Sequence, residues 1–133
     1  MFQSITIDTV THDDPHDELV LSLVEDGPWP SGPDAWRMRL AEIQNRIFAI
    51  ADLAINGRLA IKFPDSRGKR VRIQVDSPRG CPGLVQELVS AASTFLLEDA
   101  SYAGAIRSST HVGGIRVVTG KQMDQAPPSS RFS

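Results

Sequence analysis

The chain has 133 residues, of which 41% are apolar and 23% are charged, with 14 Lys and Arg against 16 Asp and Glu. This length and composition are typical of one globular domain. The near-neutral charge excludes a globally basic nucleic-acid binder. One cysteine and three histidines supply too few soft ligands for the usual four-ligand structural zinc site.

The sequence has no pattern typical of export or membrane insertion. Its start lacks a basic region followed by an apolar run, and no later stretch approaches 18 apolar residues. We therefore expect a cytoplasmic protein that does not enter a membrane.

Two short runs near the start predict a β-hairpin. Residues 4–10 alternate Ile5 and Ile7 with polar neighbours, and residues 18–24 (ELVLSLV) repeat the two-residue period. Residues 11–17, between them, are rich in Asp, His and Pro, which favour turns. We expect the second strand to be the more interior of the two.

A long amphipathic helix follows a segment that is rich in proline and glycine. Residues 27–33 contain three prolines and two glycines, which interrupt any strand or helix. From Asp34, large apolar residues recur at spacings of three and four, which predicts one buried stripe. The stripe comprises Trp36, Leu40, Ile43, Ile47, Ile50 and Ala54. Asn56-Gly57 is the expected C-cap, because glycine readily adopts a left-handed conformation.

The second half of the sequence predicts another hairpin and another helix. Residues 59–63 (LAIKF) and 71–75 (VRIQV) show the two-residue period of strands, and residues 64–69 between them favour a turn. Residues 82–98 then predict a helix with one apolar face. That face comprises Leu84, Val85, Leu88, Val89, Ala92, Phe95 and Leu96.

The predicted order over residues 4–98 is strand, strand, helix, strand, strand, helix (ββαββα). We interpret it as a single α+β domain, a two-layer sandwich in which two amphipathic helices cover one face of a four-stranded antiparallel or mixed sheet. Residues 99–120 have a weaker pattern, which predicts an irregular extension or a short β-hairpin that turns at Gly113-Gly114. Residues 121–133 are polar and contain proline, which predicts a disordered tail.

Short motifs are spread over residues 4–98. They are ITIDTV (5–10), Asp14-Pro15, LVLSL (19–23), EDGPW (25–29), Gln44-Asn45, Asn56-Gly57, Pro64, Gly68 and VRIQV (71–75). Together they resemble a family of small bacterial domains of unknown function. The resemblance implies a compact α+β domain, and it brings no known activity, ligand or catalytic residue.

The stretch HDDPHDE, residues 12–18, is the most suggestive of chemistry. Its imidazoles, His12 and His16, and its four carboxylates offer ligands for a divalent cation. A solvated hairpin loop explains the same residues, because a catalytic metal site needs ligands that are themselves held in place. We favour the loop, and we predict no metal and no cofactor.

Basic residues concentrate in the second predicted hairpin, which contains Lys62, Arg70 and Arg72. Because side chains alternate across a strand, Arg70, Arg72 and Gln74 share one face. Such a face suits phosphates or a partner protein, but no stacking aromatic accompanies it, so nucleic acid is not expected. The alternative is a solvated face that discourages edge pairing. Together with the acidic first loop, these residues predict a polarised surface.

Cys81 and Trp29 each have two interpretations. Cys81 precedes a predicted helix and lies near Arg79, a setting that lowers the pKa of some thiols. A structural cysteine is the alternative, since no catalytic signature surrounds it. Trp29 lies among prolines, where it is either an exposed anchor for a partner or a lid on the edge of the core.

Two functions fit the sequence. The favoured one is a non-enzymatic interaction domain, an accessory protein that binds a protein partner or a second copy of itself. Its contacts would come from the edge of the sheet or from Trp29, Lys62, Arg70, Arg72 and Gln74. The alternative is an enzyme or a binder of small anionic ligands, with a pocket beside Cys81, His111 and the arginine-bearing strand.

Overall fold

A computed structural model describes Ile7 and residues 9–120 of the chain. The described residues form β1 (Thr9–Asp13), β2 (Glu18–Val24), α1 (Pro33–Ile55), α2 (Arg58–Lys62), β3 (Arg70–Asp76), α3 (Gly83–Glu98), α4 (Ala100–Ser108) and β4 (Gly114–Thr119), with a short 3-10 turn at Pro64–Ser66. The protein is therefore of the α+β class, as the sequence predicts.

The strands form an open mixed sheet in the order β1-β2-β3-β4. β1 and β2 are an antiparallel hairpin, whereas β3 runs parallel to both of its neighbours. Parallel neighbours need long crossover connections. Here α1 and α2 connect β2 to β3, and α3 and α4 connect β3 to β4. The predicted second strand is internal, as expected.

One face of the sheet supplies the core. The register aligns Leu21 of β2, Ile73 of β3 and Val117 of β4, so apolar side chains share this face across three strands. They form one buried cluster with residues of the helices. In α1 the buried residues are Ile43, Ile47, Ile50, Ala51 and Ala54. These positions confirm the central part of the predicted stripe.

Residues 59–63 are mostly helical, so the predicted second hairpin is wrong. Gly57 takes the expected left-handed conformation, with φ of 90°, and the chain turns there into α2. Leu59 and Ala60 are buried, while Ile61 is 77% exposed. A run of five residues is too short for its apolar pattern to distinguish a strand from a helical turn that buries two consecutive residues. The observed order is therefore ββααβααβ.

Residues 99–120 belong to the folded domain, so the predicted irregular extension or short hairpin is wrong. Asp99 caps α4 by accepting a hydrogen bond from the Tyr102 N–H at 3.1 Å. β4 pairs in parallel with β3, and its residues Ile115 and Val117 join the core. The domain therefore continues past residue 98 to at least the end of β4. Local sequence gives no sign of this pairing, because its partner strand lies far earlier in the chain.

The outer edge of β4 is partly covered by α3. The Gly120 N–H points toward β3 and donates to the Val75 carbonyl at 2.9 Å. The Val117 N–H points the other way, and it donates to Ser93 Oγ at 3.1 Å. A side chain of α3 therefore occupies the middle of this edge.

The two ends of the chain leave some predictions outside the described residues. β1 begins at Thr9, so the first predicted strand overlaps it only in part, and residues 4–6 and 8 are outside the described part of the chain. The predicted tail, residues 121–133, is outside it as well. No helix in the described part is long and apolar enough to cross a bilayer.

Candidate functional site

The sheet face opposite the core carries a network of paired charges. Glu18 of β2 is 3% exposed and accepts hydrogen bonds of 2.7 and 2.8 Å from Arg116 of β4. Between these strands, Nη1 of Arg72 lies 3.3 Å from the Glu18 carboxylate and 3.0 Å from that of Asp13. Side chains from four strands therefore meet around one buried carboxylate.

The acidic loop between β1 and β2 contacts the basic residues at the start of β3. Lys69 Nζ lies 2.9 Å from the Asp17 carboxylate. Arg70 donates a hydrogen bond to the main-chain carbonyl of His16. The two oppositely charged segments are thus neighbours, because β2 and β3 are adjacent and parallel. The acidic loop and the basic start of β3, which the sequence analysis treats as separate charged regions, therefore lie side by side, and Lys69 and Asp17 form an ion pair.

These ion pairs change the ionisation of their members in the expected directions. Hydrogen bonds from Arg116 lower the pKa of the Glu18 carboxyl, and the same contact raises the pKa of Arg116. The Lys69 ammonium lowers the pKa of Asp17 in the same way. Each of these shifts favours the charged form of its group, so Glu18, Arg116 and Asp17 are ionised at neutral pH.

His12 and His16 each contact carboxylates of their own loop. His12 Nδ1 lies 2.6 Å from Asp14, and its Nε2 lies 3.1 Å from Asp17. His16 Nδ1 lies 2.9 Å from Asp13. The hydrogen bond with Asp14 raises the pKa of His12. Within residues 9–120, no three His, Cys, Asp or Glu side chains are arranged to hold a metal ion.

The residues predicted to bind a partner do not form one surface. Arg70, Arg72 and Gln74 share the charged sheet face, whereas Lys62 ends α2 and Trp29 lies between β2 and α1. The two arginines contact groups of the same chain, and Gln74 donates a hydrogen bond of 3.0 Å to a neighbouring carboxylate. Each of these three residues therefore makes at least one polar contact within its own chain.

Trp29 packs against the edge of the core. Its ring stacks on Trp36 with the ring centroids 5.7 Å apart. Its Nε1 donates to the Gly80 carbonyl at 2.9 Å, and the Arg39 guanidinium lies 5.6 Å from its ring centre. This packing matches the interpretation of Trp29 as a lid rather than as an exposed anchor.

Cys81 and His111 lie at opposite ends of the sheet. Cys81 follows the C-terminal end of β3, and His111 precedes the N-terminal end of the parallel strand β4. The pocket expected beside both residues is therefore wrong. Burial and the carboxylates of Asp76 and Glu25 raise the pKa of the Cys81 thiol. This shift is opposite to the one that activates a nucleophilic cysteine.

A groove lies on the solvent side of the helices, where α1, α3 and α4 meet. Its volume is about 410 Å³. The rings of Phe48, Phe95 and Tyr102 contact one another there, with centroids 5.6 to 5.8 Å apart. The groove is lined by Gln44, Phe48, Leu88, Ala91, Ala92, Phe95 and Tyr102. Its floor is therefore mainly apolar and aromatic.

Two adjacent apolar stripes on α3 explain the groove. The first stripe is buried in the core and comprises Val85, Val89, Ala92 and Leu96. The second precedes each of these positions by one residue and comprises Leu84, Leu88, Ala91 and Phe95. Successive helical residues are about 100° apart, so the second stripe cannot also face the sheet. Leu84 and Phe95 are accordingly 46% exposed each, so only part of the apolar face predicted for α3 is buried.

The rim of the groove is acidic. Residues 80–106 contain three carboxylates, those of Glu87, Glu98 and Asp99, and contain no Lys or Arg. All three line a concavity on α3 that shares Phe95 with the groove. The field beside the apolar floor is therefore negative on the α3 side.

Tyr102 links the floor of the groove to a fourth carboxylate, on α1. Its hydroxyl donates to Asp52 Oδ1 at 3.0 Å. Burial, this hydrogen bond and the charges of Asp52 and Asp99 raise the pKa of Tyr102 to about 12. The phenol is therefore neutral at physiological pH and serves as a fixed donor between α4 and α1.

The sequence contains a signal for the groove that is also compatible with a buried helix face. The apolar arc of residues 82–98 is wider than one stripe, and it is followed by carboxylates without basic residues. Which half of the arc is buried depends on the position of α3 over the sheet. That position is a tertiary property that the helical period does not encode.

Comparison with known protein families, with curated proteins and with solved structures finds no match for this chain. The resemblance to small bacterial domains of unknown function therefore stays a prediction. The function is inferred from the geometry of the chain itself.

Proposed function

We propose that this protein is a non-enzymatic interaction domain that docks a protein partner in the groove between α1, α3 and α4. The exposed apolar stripe of α3 carries the proposal, because Phe95 is 46% exposed beside a stripe that is buried. Contiguous exposed apolar surface on a water-soluble fold is typical of interaction sites. Helical partners commonly place their apolar side chains in grooves of this kind.

The arrangement of the two surfaces supports the same proposal. If the protein is a two-layer sandwich, the helices form one outer surface and the charged sheet face forms the other. The charges of the sheet face are paired within the chain, whereas the rings of the groove keep solvent-exposed surface. A cytoplasmic location remains a prediction from the sequence.

The alternative function, an enzyme or a binder of small anionic ligands, has less support. The anion-binding groups expected for it are the arginines of β3, and they contact a carboxylate or a carbonyl of the same chain. The raised pKa of Cys81 also opposes nucleophilic chemistry at neutral pH. We therefore favour the interaction domain.

Peptide selection tests the proposal. Random peptides displayed on phage are selected on the immobilised full-length protein, and the affinity of each selected peptide is measured by fluorescence polarisation. We expect Phe95→Ser to weaken binding by about tenfold or more, as for other buried aromatic contacts at interfaces. Leu97→Ser is the matched control, because Leu97 is 68% exposed on the same helix but does not line the groove.

Two results would contradict the proposal. One is that no peptide with specific affinity is recovered. The other is that the selected peptides bind the Phe95→Ser variant as tightly as the unmodified protein, which would place their site elsewhere. Circular dichroism of both variants establishes that the comparison is made between folded proteins.

A further inference from the structure

Two further concavities adjoin the groove and share lining residues with it. A concavity on the outer side of α3 extends from Gln86 to Asp99 and shares Ala91 and Phe95 with the groove. Another, between α1 and α4, shares Tyr102 with it. At 1.5 Å per helical residue, the α3 part alone is about 20 Å long. This elongated shape suits a peptide segment better than a compact metabolite.

The charged residues that line this surface are all acidic. Glu87, Glu98 and Asp99 line its α3 side, and Asp52 lines its α1 side. None of the residues that line the groove or its two continuations is a lysine or an arginine. An apolar floor between acidic rims is complementary to a segment that is apolar on one face and positive on its flanks.

We infer that the partner segment is a cationic amphipathic helix, an inference that rests on the docking function proposed above. Apolar side chains at spacings of three and four residues would pack on Phe48, Leu88 and Phe95. Lysine or arginine on the flanks of that helix would then face Glu87 and Glu98 on one side and Asp52 on the other. Such complementarity steers encounter and selects among partners.

Other occupants are less compatible with this charge. A second copy of the chain would bring Glu87 and Glu98 close to the same carboxylates, and like charges opposed across an interface disfavour association. Nucleic acids and the anionic surface of a membrane are disfavoured for the same reason. The partner is therefore a protein with a basic helical segment.

Two synthetic helical peptides with the same apolar face test the inference. One carries lysine on both flanks and the other carries glutamate, and each is titrated against the full-length protein by fluorescence polarisation. We expect the lysine peptide to bind about tenfold more tightly at low ionic strength. The advantage should shrink at 0.5 M salt, where the Debye length falls to about 4 Å.

Charge reversal of the rim sharpens the test. The double variant Glu87→Lys, Glu98→Lys should invert the preference, so that the glutamate peptide becomes the tighter ligand. The matched control reverses two carboxylates of α1 that do not line the groove, Asp34→Lys and Glu42→Lys. It should leave the preference for the lysine peptide in place.

The outcomes separate the inference from the function on which it rests. Equal binding of both peptides that is lost in Phe95→Ser would overturn the cationic partner while supporting docking in the groove. Failure of both peptides to bind, or binding unchanged in Phe95→Ser, would overturn docking itself. A dimer in sedimentation velocity that Phe95→Ser dissociates would identify a second copy as the occupant and would also overturn the inference.

Discussion

The charged sheet face and the groove between the helices differ in what their side chains contact. On the sheet face, the carboxylate of Glu18 contacts two arginines, and Glu18 is 3% exposed. In the groove, Phe95 is 46% exposed. The comparison teaches that a rich set of charged residues indicates recognition only where the charges are not already paired within the fold.

The two regions also differ in their relation to stability. Glu18 and Arg116 connect strands that are distant in the sequence, so their pairing exists only in the folded sheet. The exposed rings of the groove contribute less, because a partly exposed side chain has removed less apolar area from water. Substitutions should therefore divide into those that destabilise the fold and those that mainly alter the proposed docking.

Replacing Glu18 with glutamine should have the largest effect. It leaves Arg72 and Arg116 close together without the carboxylate that both of them contact. Breaking a fully buried ion pair costs about 3–5 kcal/mol, and since the Arg116 side chain is 44% exposed we expect about 2–3 kcal/mol here. Urea denaturation measures the loss. A variant as stable as the unmodified protein would contradict the expectation that the sheet face contributes more to stability than the groove does.

Acid should produce the same loss in the unmodified protein. Arg116 lowers the folded-state pKa of Glu18, so its contribution is complete above the ordinary value of 4.5 and disappears as pH falls through the lowered value. The stability gap between the unmodified protein and Glu18→Gln should therefore be constant near neutral pH and narrow in acid. Urea denaturation from pH 7 to pH 3 measures it, and a gap independent of pH would contradict the prediction.

Phe95→Ala should have a smaller effect on stability. Because Phe95 is 46% exposed, we expect a loss of about 1 kcal/mol, mainly from the edge contacts of its ring with Phe48 and Tyr102. Urea denaturation with an unchanged m-value would show that the fold is retained. A loss as large as that of Glu18→Gln would mean that the groove is part of the core.

Asp34→Asn should have the smallest effect. Asp34 pairs with Arg37 at 2.9 Å, but both side chains are more than 75% exposed. Exposed pairs of this kind contribute less than about 1 kcal/mol, so we expect a change below about 0.5 kcal/mol by urea denaturation. A larger loss would show that the charge of Asp34, through Arg37 or through the N-terminal end of α1, matters even without burial.

The elements whose apolar residues follow a clear helical or strand pattern were predictable from the sequence. The run ELVLSLV forms β2, and VRIQV lies within β3, because both carry alternating or continuous apolar residues that a sheet buries. The long stripe of α1 was predictable for the same reason, with its left-handed glycine at position 57. In these segments local preference and tertiary packing favour the same structure.

The segments that depend on distant contacts were not predictable. LAIKF became part of α2 because the core receives Leu59 and Ala60 together. β4 depends on β3, a strand far away in sequence, for its ladder. The pairing of Arg72 with Asp13 and Glu18 likewise required knowing that β2 and β3 are adjacent. The periodicity of the sequence indicates which side of a helix or strand is apolar. It does not indicate which other helix or strand packs against that side.

The Ser93 hydroxyl on the outer edge of β4 has a consequence for how copies of this protein meet. An open sheet edge is a template on which another strand can add, and repeated addition leads to fibrous aggregates. Ser93 Oγ accepts a hydrogen bond from the Val117 N–H, so this N–H in the middle of β4 is not free to pair with an added strand. The α3 side chain would also obstruct the approach of such a strand. Strand addition at this edge of β4 is thereby discouraged, which favours contacts between copies that do not extend the sheet on this side.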